Sequence, residues 1–556
     1  MIENSYNLTL EKWIPTNHGR LSLLEIFENP SELNRQLEGN AVEKMAILKL
    51  LLAIVHAAFP KDNDPKKNYL GSCASWSKLE TKDFCEIVRD YLIENSDYFF
   101  LYGEKPFLQV PLLKELVDLS NSATEGQKEN DSSNTKKKKD SDKIQMKRIG
   151  RAIYPDLVLE NNSVLTHYHI QQKVHLADHE KAIFLLTLMN FALGGKRVID
   201  VKNLGLEKGY AGRKSTAKSG PSLRGNPLHS YWVGDDILTT LRINALTHEQ
   251  IESQASHWSQ GVGQPLWEIL AKYSEKNSPA GFCQLIEEVD ESVLESYIGR
   301  LLAVSRFVLL EQSSDNIYYS EGSRVLNDKD DKPWYEPSLT IIETKNNKKT
   351  LVKASLAKES WRELPSLLAF LNKRNNALKA PNCFQLSACH EHLARFCPVR
   401  VGLWTGGLKA SGTSGDQKIK TQDDFVESLS WFPTSELDEG SLDKLTTLID
   451  FLEKSAGKIF FNVKNYFEEL GCDGKTLSKK AQEFFWSSCS QSSNRLIDLC
   501  FQKDESKNEE LKQLQYVFKE IALQAFDFAC SNAGPKQFIA WIRERNFLGI
   551  IIQQSM

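Results

Sequence analysis

One short motif near the middle of the sequence resembles the metal-binding motif of nucleases. Glu343-Thr344-Lys345 follows the apolar run Leu339 to Ile342. In E-x-K sites carboxylates hold Mg²⁺ and the lysine orients a water molecule. The required partner acid is missing, because Asp156 lies far upstream, and Lys345-Asn346-Asn347-Lys348 is more typical of a hairpin turn. We expect no nuclease, and keep a metal-dependent nuclease using Glu343 and Lys345 as an alternative.

Two groups of histidine and cysteine residues raise the question of metal binding. His175 and His179 are four residues apart, but they lack the intervening Glu of an HExxH motif and an evident third ligand. The second group lies in an apolar, periodic stretch in which cysteine is commonly buried, and consists of Cys389, His390, His392 and Cys397. We expect packing or solvated roles for both groups, and so no metal, no cofactor and no catalytic residue.

The stretch from Gly194 to Gly225 combines glycine with positive charge. It contains seven glycines and eight basic residues against only Asp200 and Glu207. Glycine lets a backbone approach a ligand closely, and lysine and arginine neutralise phosphates, so the composition suits a loop lying in a nucleic-acid groove. A solvated surface loop would have the same composition. Both interpretations stay open on composition alone.

The surrounding elements must form a protein of more than one domain. At 556 residues the chain exceeds the roughly 250 to 300 residues that a single core supports. Helical periodicity from Ala41 to Phe59 follows a strand-like opening from Tyr6 to Ile14, and alternating patterns predict strands over Ser305 to Tyr319 and Leu339 to Lys353. The fold class is therefore α+β.

The region after Pro433 changes character. Apolar residues recur there at helical spacing, and Gly471, Gly474 and Gly534-Pro535 separate the periodic runs. We predict a mixed α+β domain over residues 1–432 and a C-terminal four-helix bundle over residues 433–556. Residues 119–149, which include four consecutive lysines, are poor in apolar residues and predict a disordered insertion.

Charge and hydropathy restrict the cellular setting. The net charge of −4 gives no overall attraction to nucleic acid, so any binding must come from local basic patches. The apolar stretch from Met45 to Phe59 is too short for a membrane span, which needs about 20 residues. The opening Met1-Ile2-Glu3-Asn4 is unlike a secretory signal. We expect a cytoplasmic protein.

Five motifs, in order along the chain, resemble the large subunit of the type I-E CRISPR Cascade complex. They are Asn7 to Pro15, Lys105-Pro106-Phe107-Leu108-Gln109, Ser222 to Leu246, Trp334-Tyr335-Glu336-Pro337 and Gly402-Leu403-Trp404-Thr405-Gly406-Gly407. The resemblance implies a non-catalytic subunit that recognises the protospacer-adjacent motif in double-stranded DNA and helps open the duplex. Its implied partners are the other Cascade subunits, a CRISPR guide RNA and a helicase-nuclease.

The resemblance also implies which residues touch DNA. The candidate for the family's glycine loop is Gly209 to Lys218, including Gly209, Gly212, Arg213, Lys214, Ser215, Thr216, Ala217 and Lys218. Gln417, after the glycine-flanked turn Gly412 to Gly415, corresponds to a glutamine wedge that splits the duplex.

Two further contacts are implied less directly. The family's lysine finger has no lysine counterpart between Lys276 and Lys329, and Arg324 is nearest to the expected place. A further DNA-contacting loop would include His169, Ile170 and Gln171. A purely architectural scaffold built on the bundle is the remaining alternative.

Overall fold

A computed structural model gives the fold of the chain. It describes residues 5–28, 35–117, 147–148, 176–194, 219–274, 279–314, 316–323, 336–343, 349–372, 381–412, 417, 419, 424–502, 504 and 506–555. No helix among these residues is both long and apolar enough to cross a membrane.

Helices make up most of the described structure. The α-helices of the first 432 residues are Leu23–Ile26, Ala41–Ala58, Cys73–Trp76, Thr81–Glu94, Asp178–Phe191, Ile237–Asn244, His248–Glu252, Leu266–Tyr273, Pro279–Glu295, Tyr297–Leu301, Leu364–Leu367, Phe384–Cys389 and Leu393–Phe396. Short 3₁₀ helices are Ser96–Phe99, Pro221–Leu223, Ser360–Glu363, Ala369–Leu371, His390–His392 and Thr434–Glu436.

The strands form small antiparallel sheets. Two sheets have two strands each, Ser5–Asn7 with Phe100–Tyr102 and Ile14–Thr16 with Gly19–Leu21. Three sheets of the described residues have three strands each. In the first, Asn316–Glu321 lies between Lys147–Arg148 and Arg306–Leu310, and in the second, Thr340–Glu343 lies between Lys349–Leu351 and Asn382–Cys383. In the third, Arg400–Leu408 lies between Phe425–Pro433 and His229–Val233. Helices together with these sheets confirm the predicted α+β class.

The helix Ala41–Ala58 lies at the centre of this part of the protein. Asn40 caps it by accepting hydrogen bonds from the backbone N–H groups of Val42 and Glu43, and the Glu43 carboxylate bonds back to the Asn40 backbone. The helix buries residues around its whole circumference, as expected for a core helix with neighbours on all sides. Lys49, in the middle of this helix, is fully buried as well.

The C-terminal region is helical, as predicted. It contains four long helices and one short one, Glu439–Glu469, Lys475–Ser490, Ser493–Cys500, Ser506–Ala529 and Pro535–Gln553. Gly471, with φ of +80°, lies just beyond the C-cap of the first helix, where glycine is favoured, and Pro535 begins the last.

The helical region packs directly against the rest of the chain. The Arg362 guanidinium lies 3.4 Å from the Trp486 ring centroid and bonds to Glu453 at 2.6 Å. The rings of Phe432 and Phe501 meet at 4.7 Å. One continuous buried core therefore includes residues from both parts.

The predicted opening strand differs from the structure. Ser5–Asn7 and Ile14–Thr16 are separate strands in different sheets. Between them the Asn7 side chain accepts a hydrogen bond from the Thr9 N–H at 2.9 Å, and the Trp13 indole donates to the Leu8 carbonyl at 3.0 Å. Such local side-chain bonds compete with strand pairing, which explains the turn.

Candidate nucleic-acid interface

The end of the helix Asp178–Phe191 leads into the basic, glycine-rich stretch. The two flanks of residues 195–218 are joined, because the Gly220 N–H donates to the Ala192 carbonyl at 2.6 Å. A Cβ atom at Gly220 would lie 2.3 Å from the Asn190 carbonyl oxygen, so only glycine fits this crossing. The described flanks of this stretch thus lie side by side. We call residues 189–194 the loop base.

The strand Arg306–Leu310, which pairs with the strand that precedes Arg324, also meets the loop base. Arg306 donates from Nη2 to the Leu193 carbonyl at 2.9 Å, and the Ser305 N–H donates to the Met189 carbonyl at 3.0 Å. The Ser323 N–H in turn donates to the Val304 carbonyl at 2.9 Å. The chain immediately before residue 324 is therefore bonded to the segment that contacts the loop base.

Gln417 is a predicted contact that itself reaches the loop base. It lies in the connection between the paired strands Arg400–Leu408 and Phe425–Pro433. Its side-chain oxygen accepts a hydrogen bond from the Gly194 N–H at 2.8 Å. Nearby Ile419 is buried and lines a small apolar cavity with Leu193. Gln417 and Ile419 therefore lie beside the loop base, and the half-buried Gln417 side chain is held there.

A buried ion pair lies behind the loop base. The Lys49 ammonium contacts the Glu336 carboxylate at 2.6 Å, the Ser222 hydroxyl at 2.8 Å and the Asn190 side-chain oxygen at 3.2 Å. Lys49 is 0% exposed and Glu336 is 1% exposed. These three acceptors match the three N–H donors of the ammonium group, as a charge withdrawn from water requires.

The Lys49–Glu336 ion pair and its hydrogen bonds connect three chain segments that lie beside the predicted DNA contacts. Asn190 belongs to the loop base, Ser222 follows the returning flank of the glycine-rich stretch, and Glu336 begins the described chain after residues 324–335. Ser222 also donates to the second Glu336 oxygen at 2.9 Å. One lysine thereby fixes the relative positions of three chain segments.

His229 completes this network. Its Nε2 atom lies 2.8 Å from the Ser222 carbonyl oxygen, which can only accept, so Nε2 carries a hydrogen, and Nδ1 lies 2.9 Å from the Ser338 hydroxyl. Burial lowers the pKa of His229. Burial alone would raise the pKa of Glu336, but Lys49 and the other surrounding groups outweigh it and hold that pKa below 4.5.

Most of the predicted DNA contacts lie outside the described residues. These are Gly209, Gly212, Arg213, Lys214, Ser215, Thr216, Ala217, Lys218, Arg324, His169, Ile170 and Gln171. Lys345 of the nuclease alternative and His175 of the histidine pair also lie outside the described residues. Most of the predicted insertion over 119–149 is outside them as well, although Lys147–Arg148 pair with Asn316 and Ile317. Gln417 alone among the predicted contacts is placed, and the flanks of the others are known.

The Glu343 motif is placed in part. Glu343 ends the strand Thr340–Glu343 and is in register with Lys349 on the neighbouring strand. The antiparallel pairing agrees with the predicted reversal of the chain between these two residues.

Several motif residues of the resemblance serve packing. The Gln109 side chain donates to the Leu101 carbonyl at 2.8 Å and accepts from the Leu310 N–H at 2.8 Å. A Cβ at Gly407 would lie 2.5 Å from the Pro227 carbonyl oxygen, so this glycine allows two motifs to touch. These contacts of Gln109 and Gly407 pack strands and chain segments of the core against one another.

Sequence reasoning missed Lys49, Asn190 and Gly220. Lys49 carried a signal, since it interrupts an apolar helix that is buried on every side. A lysine in such a place needs a partner, but nothing in the sequence indicates that the partner is 287 residues away.

Comparison with known proteins identifies the family. A search of curated proteins finds no match. Among solved structures, Thermus thermophilus CasA (Cse1) is 17% identical with a TM-score of 0.63, covering 99% of this chain and 100% of that chain. Thermobifida fusca Cse1 is 15% identical with a TM-score of 0.64, covering 99% and 98%. A chain of a CRISPR RNA-guided surveillance complex is 14% identical with a TM-score of 0.64, covering 98% and 100%.

At these identities the structural likeness shows the fold. The family itself is shown by a sequence model, which describes CRISPR-associated protein Cse1 and matches residues 7–525. This match agrees with the motifs found in order along the sequence, and the chain therefore belongs to the CRISPR-associated protein Cse1 family.

Proposed function

We propose that this chain is the non-catalytic large subunit of a type I-E CRISPR RNA-guided surveillance complex. In this role it recognises the protospacer-adjacent motif in double-stranded DNA, helps open the duplex and recruits the helicase-nuclease. Family membership supports the proposal, as does likeness to a chain of a solved CRISPR RNA-guided surveillance complex. Its partners would be the other subunits, the guide RNA and the target DNA.

The observation that carries the proposal is convergence at the loop base. Three DNA contacts predicted from separate parts of the sequence are the glycine-rich loop, the Arg324 segment and Gln417. Gly220, on the returning flank of the glycine-rich stretch, and Gln417 itself bond to residues 189–194. Ser323, which precedes Arg324, bonds to Val304, and the adjoining Ser305 and Arg306 bond to the loop base. Contacts that share one base can reach the same few base pairs, which a motif reader requires. A scaffold alone would not need this arrangement.

The chemistry of the loops fits duplex inspection. The minor groove presents a degenerate pattern of acceptors, so a glycine-rich backbone lying in it would accept several related motifs. A glutamine inserted beside the motif must unstack the bases, at a few kcal/mol per step, and guide pairing then compensates as the heteroduplex forms. The guide RNA recognises the target sequence, and this chain recognises the motif beside it.

The test compares reconstituted surveillance complexes with and without this chain. Binding and opening of duplex targets are measured on matched targets that carry or lack the motif. We expect motif-dependent opening only when the chain is present, and guide RNA retained in both preparations. Equal motif discrimination without the chain would contradict the proposal.

A further inference from the structure

The turn at Cys73 packs against the 3₁₀ helix His390–His392. The Cys73 sulfur lies 2.6 Å from a Glu391 carboxylate oxygen and 3.5 Å from Nε2 of His392. The potential ligand atoms of these three residues lie within 4.8 Å of one another. Thiolate, imidazole and carboxylate are the groups that bind Zn²⁺ in proteins.

The His392 ring is oriented as a metal ligand would be. Its Nδ1 atom lies 3.2 Å from the Ile243 carbonyl oxygen, which can only accept, so Nδ1 carries the hydrogen. Nε2 therefore carries a lone pair, and it lies on the side of Cys73. A carbonyl partner for the second ring nitrogen is the usual support of a zinc-binding histidine.

The donors near His392 have closer acceptors than its Nε2 atom. Gln250 has two amide hydrogens, and its nitrogen lies 2.8 Å from the Ala388 carbonyl and 2.6 Å from Glu391. The single thiol hydrogen of Cys73 points to Glu391, the closer acceptor. His392 is 3% exposed, and the two groups nearest to its Nε2 are the Cys73 sulfur and the Gln250 amide nitrogen, both at 3.5 Å, the outer limit of a hydrogen bond. The Gln250 nitrogen also lies 3.7 Å from the Cys73 sulfur, so this amide faces all three candidate ligands.

The electrostatic setting favours a cation. The charged side chains acting on the Cys73 sulfur are Glu391 and Glu249, both acidic. Gln250, hydrogen-bonded to Glu391, would orient the carboxylate from outside the coordination sphere. The half-buried Cys73 and exposed Glu391 leave one side open to water.

We propose that Cys73, Glu391 and His392 bind one Zn²⁺ ion, with water as the fourth ligand. Tetrahedral zinc places its ligand atoms roughly 3.3 to 3.8 Å apart, which the observed sulfur-to-nitrogen separation of 3.5 Å matches. The exposed Glu391 side chain must move outward by about 1 Å to reach that spacing. On binding, the thiol proton leaves to solvent. The ion would join segments more than 300 residues apart in sequence.

The test uses the full chain, stripped with a chelator, loaded with Zn²⁺ and desalted. Mass spectrometry should find one zinc per chain in wild type and in the control Cys283→Ser, which changes another half-buried cysteine. Cys73→Ser should lose it. Titration with Co²⁺ should produce a thiolate-to-metal charge-transfer band in wild type and the control alone. No retained zinc, or zinc and the band persisting in Cys73→Ser, would overturn the proposal.

A second variant separates metal binding from folding. Glu391 is exposed, so Glu391→Gln is expected to fold with the circular dichroism and melting temperature of metal-free wild type. Its zinc affinity should fall at least tenfold, because a neutral amide is a weaker ligand than a carboxylate. Zinc should raise the melting temperature of wild type more than that of this variant. Equal affinity and equal shifts would exclude Glu391 from the site.

Discussion

The side-chain oxygen of Gln417 accepts a hydrogen bond from the Gly194 N–H at 2.8 Å, across 223 residues of sequence. The proposed wedge and the first residue of the basic, glycine-rich stretch are therefore in direct contact. A single hydrogen bond of this kind contributes about 1 kcal/mol net, less than the few kcal/mol needed to unstack a base step. The bond can position Gln417 before DNA arrives without preventing its release.

Gln417→Ala in the assembled complex should slow opening of duplex targets while guide assembly stays intact. The variant loses the group that would stand between separated bases. A target already unpaired beside the motif needs no unstacking, so the variant should open it at the wild-type rate. A fluorescent base beside the motif, in paired and pre-melted targets, measures both rates.

Gln417→Met is the matched variant. Methionine keeps a long side chain, and its sulfur is only a weak acceptor for the Gly194 N–H. Because the long side chain can still stand between bases, Gln417→Met should open duplexes faster than Gln417→Ala. An equal defect of Gln417→Ala on both targets would mean an ordinary contact, and no defect on either would mean that the hairpin is misassigned.

Neutralising Lys214 and Lys218 to glutamine should weaken DNA binding irrespective of sequence. The slope of log affinity against log salt should fall by about one unit for each phosphate that is no longer neutralised. Binding is measured over a series of salt concentrations. The control is Lys66→Gln with Lys67→Gln, which removes equal charge from an exposed turn and should leave the slope unchanged. An unchanged slope in the first variant would favour a solvated loop.

Glu336→Gln should lower the free energy of unfolding by about 3 to 5 kcal/mol, because it leaves the Lys49 ammonium buried without a counterion. Adding Lys49→Met should recover part of that loss. Chemical denaturation measures all three proteins. Glu468→Gln, at an exposed pair with Lys464, should change stability by less than about 1 kcal/mol. A small effect at Glu336 would contradict a functional framework built on the ion pair.

The Glu336 carboxyl should also make stability depend on acid. Its pKa in the folded protein is below 4.5, so its stabilising effect is present above pH 4.5 and is lost as pH falls through the folded pKa. Wild type should therefore lose stability on acidification more steeply than the double variant Lys49→Met with Glu336→Gln. Parallel curves from denaturation at several pH values would contradict this.

The isolated chain with Mg²⁺ or Mn²⁺ should leave single- and double-stranded DNA intact. The Glu343 motif lacks a partner acid in sequence, and two-metal or one-metal hydrolysis needs several carboxylates around the ion. Gel analysis of end-labelled DNA measures cleavage. Cleavage abolished by Glu343→Ala would establish the nuclease alternative instead.

Local patterns determined the elements of this protein. Apolar spacing predicted the helix over Ala41–Ala58 and the helices Glu439–Glu469 and Ser506–Ala529. This is possible because helical periodicity depends only on residues three or four positions apart in sequence. Alternation predicted the strands Arg306–Leu310 and Thr340–Glu343 in the same way. Five motifs in order were enough to indicate the family, which the match over residues 7–525 then established.

Only the tertiary structure decided which distant residues meet. Lys49 contacts Glu336, 287 residues away in sequence, and Gln417 contacts Gly194, 223 residues away. Cys73 contacts His392, 319 residues away. Sequence spacing groups His392 with Cys389, His390 and Cys397, whereas the structure brings its ring beside Cys73. Sequence spacing constrains contacts within an element, but contacts between elements follow from how their buried faces pack, which no local pattern records.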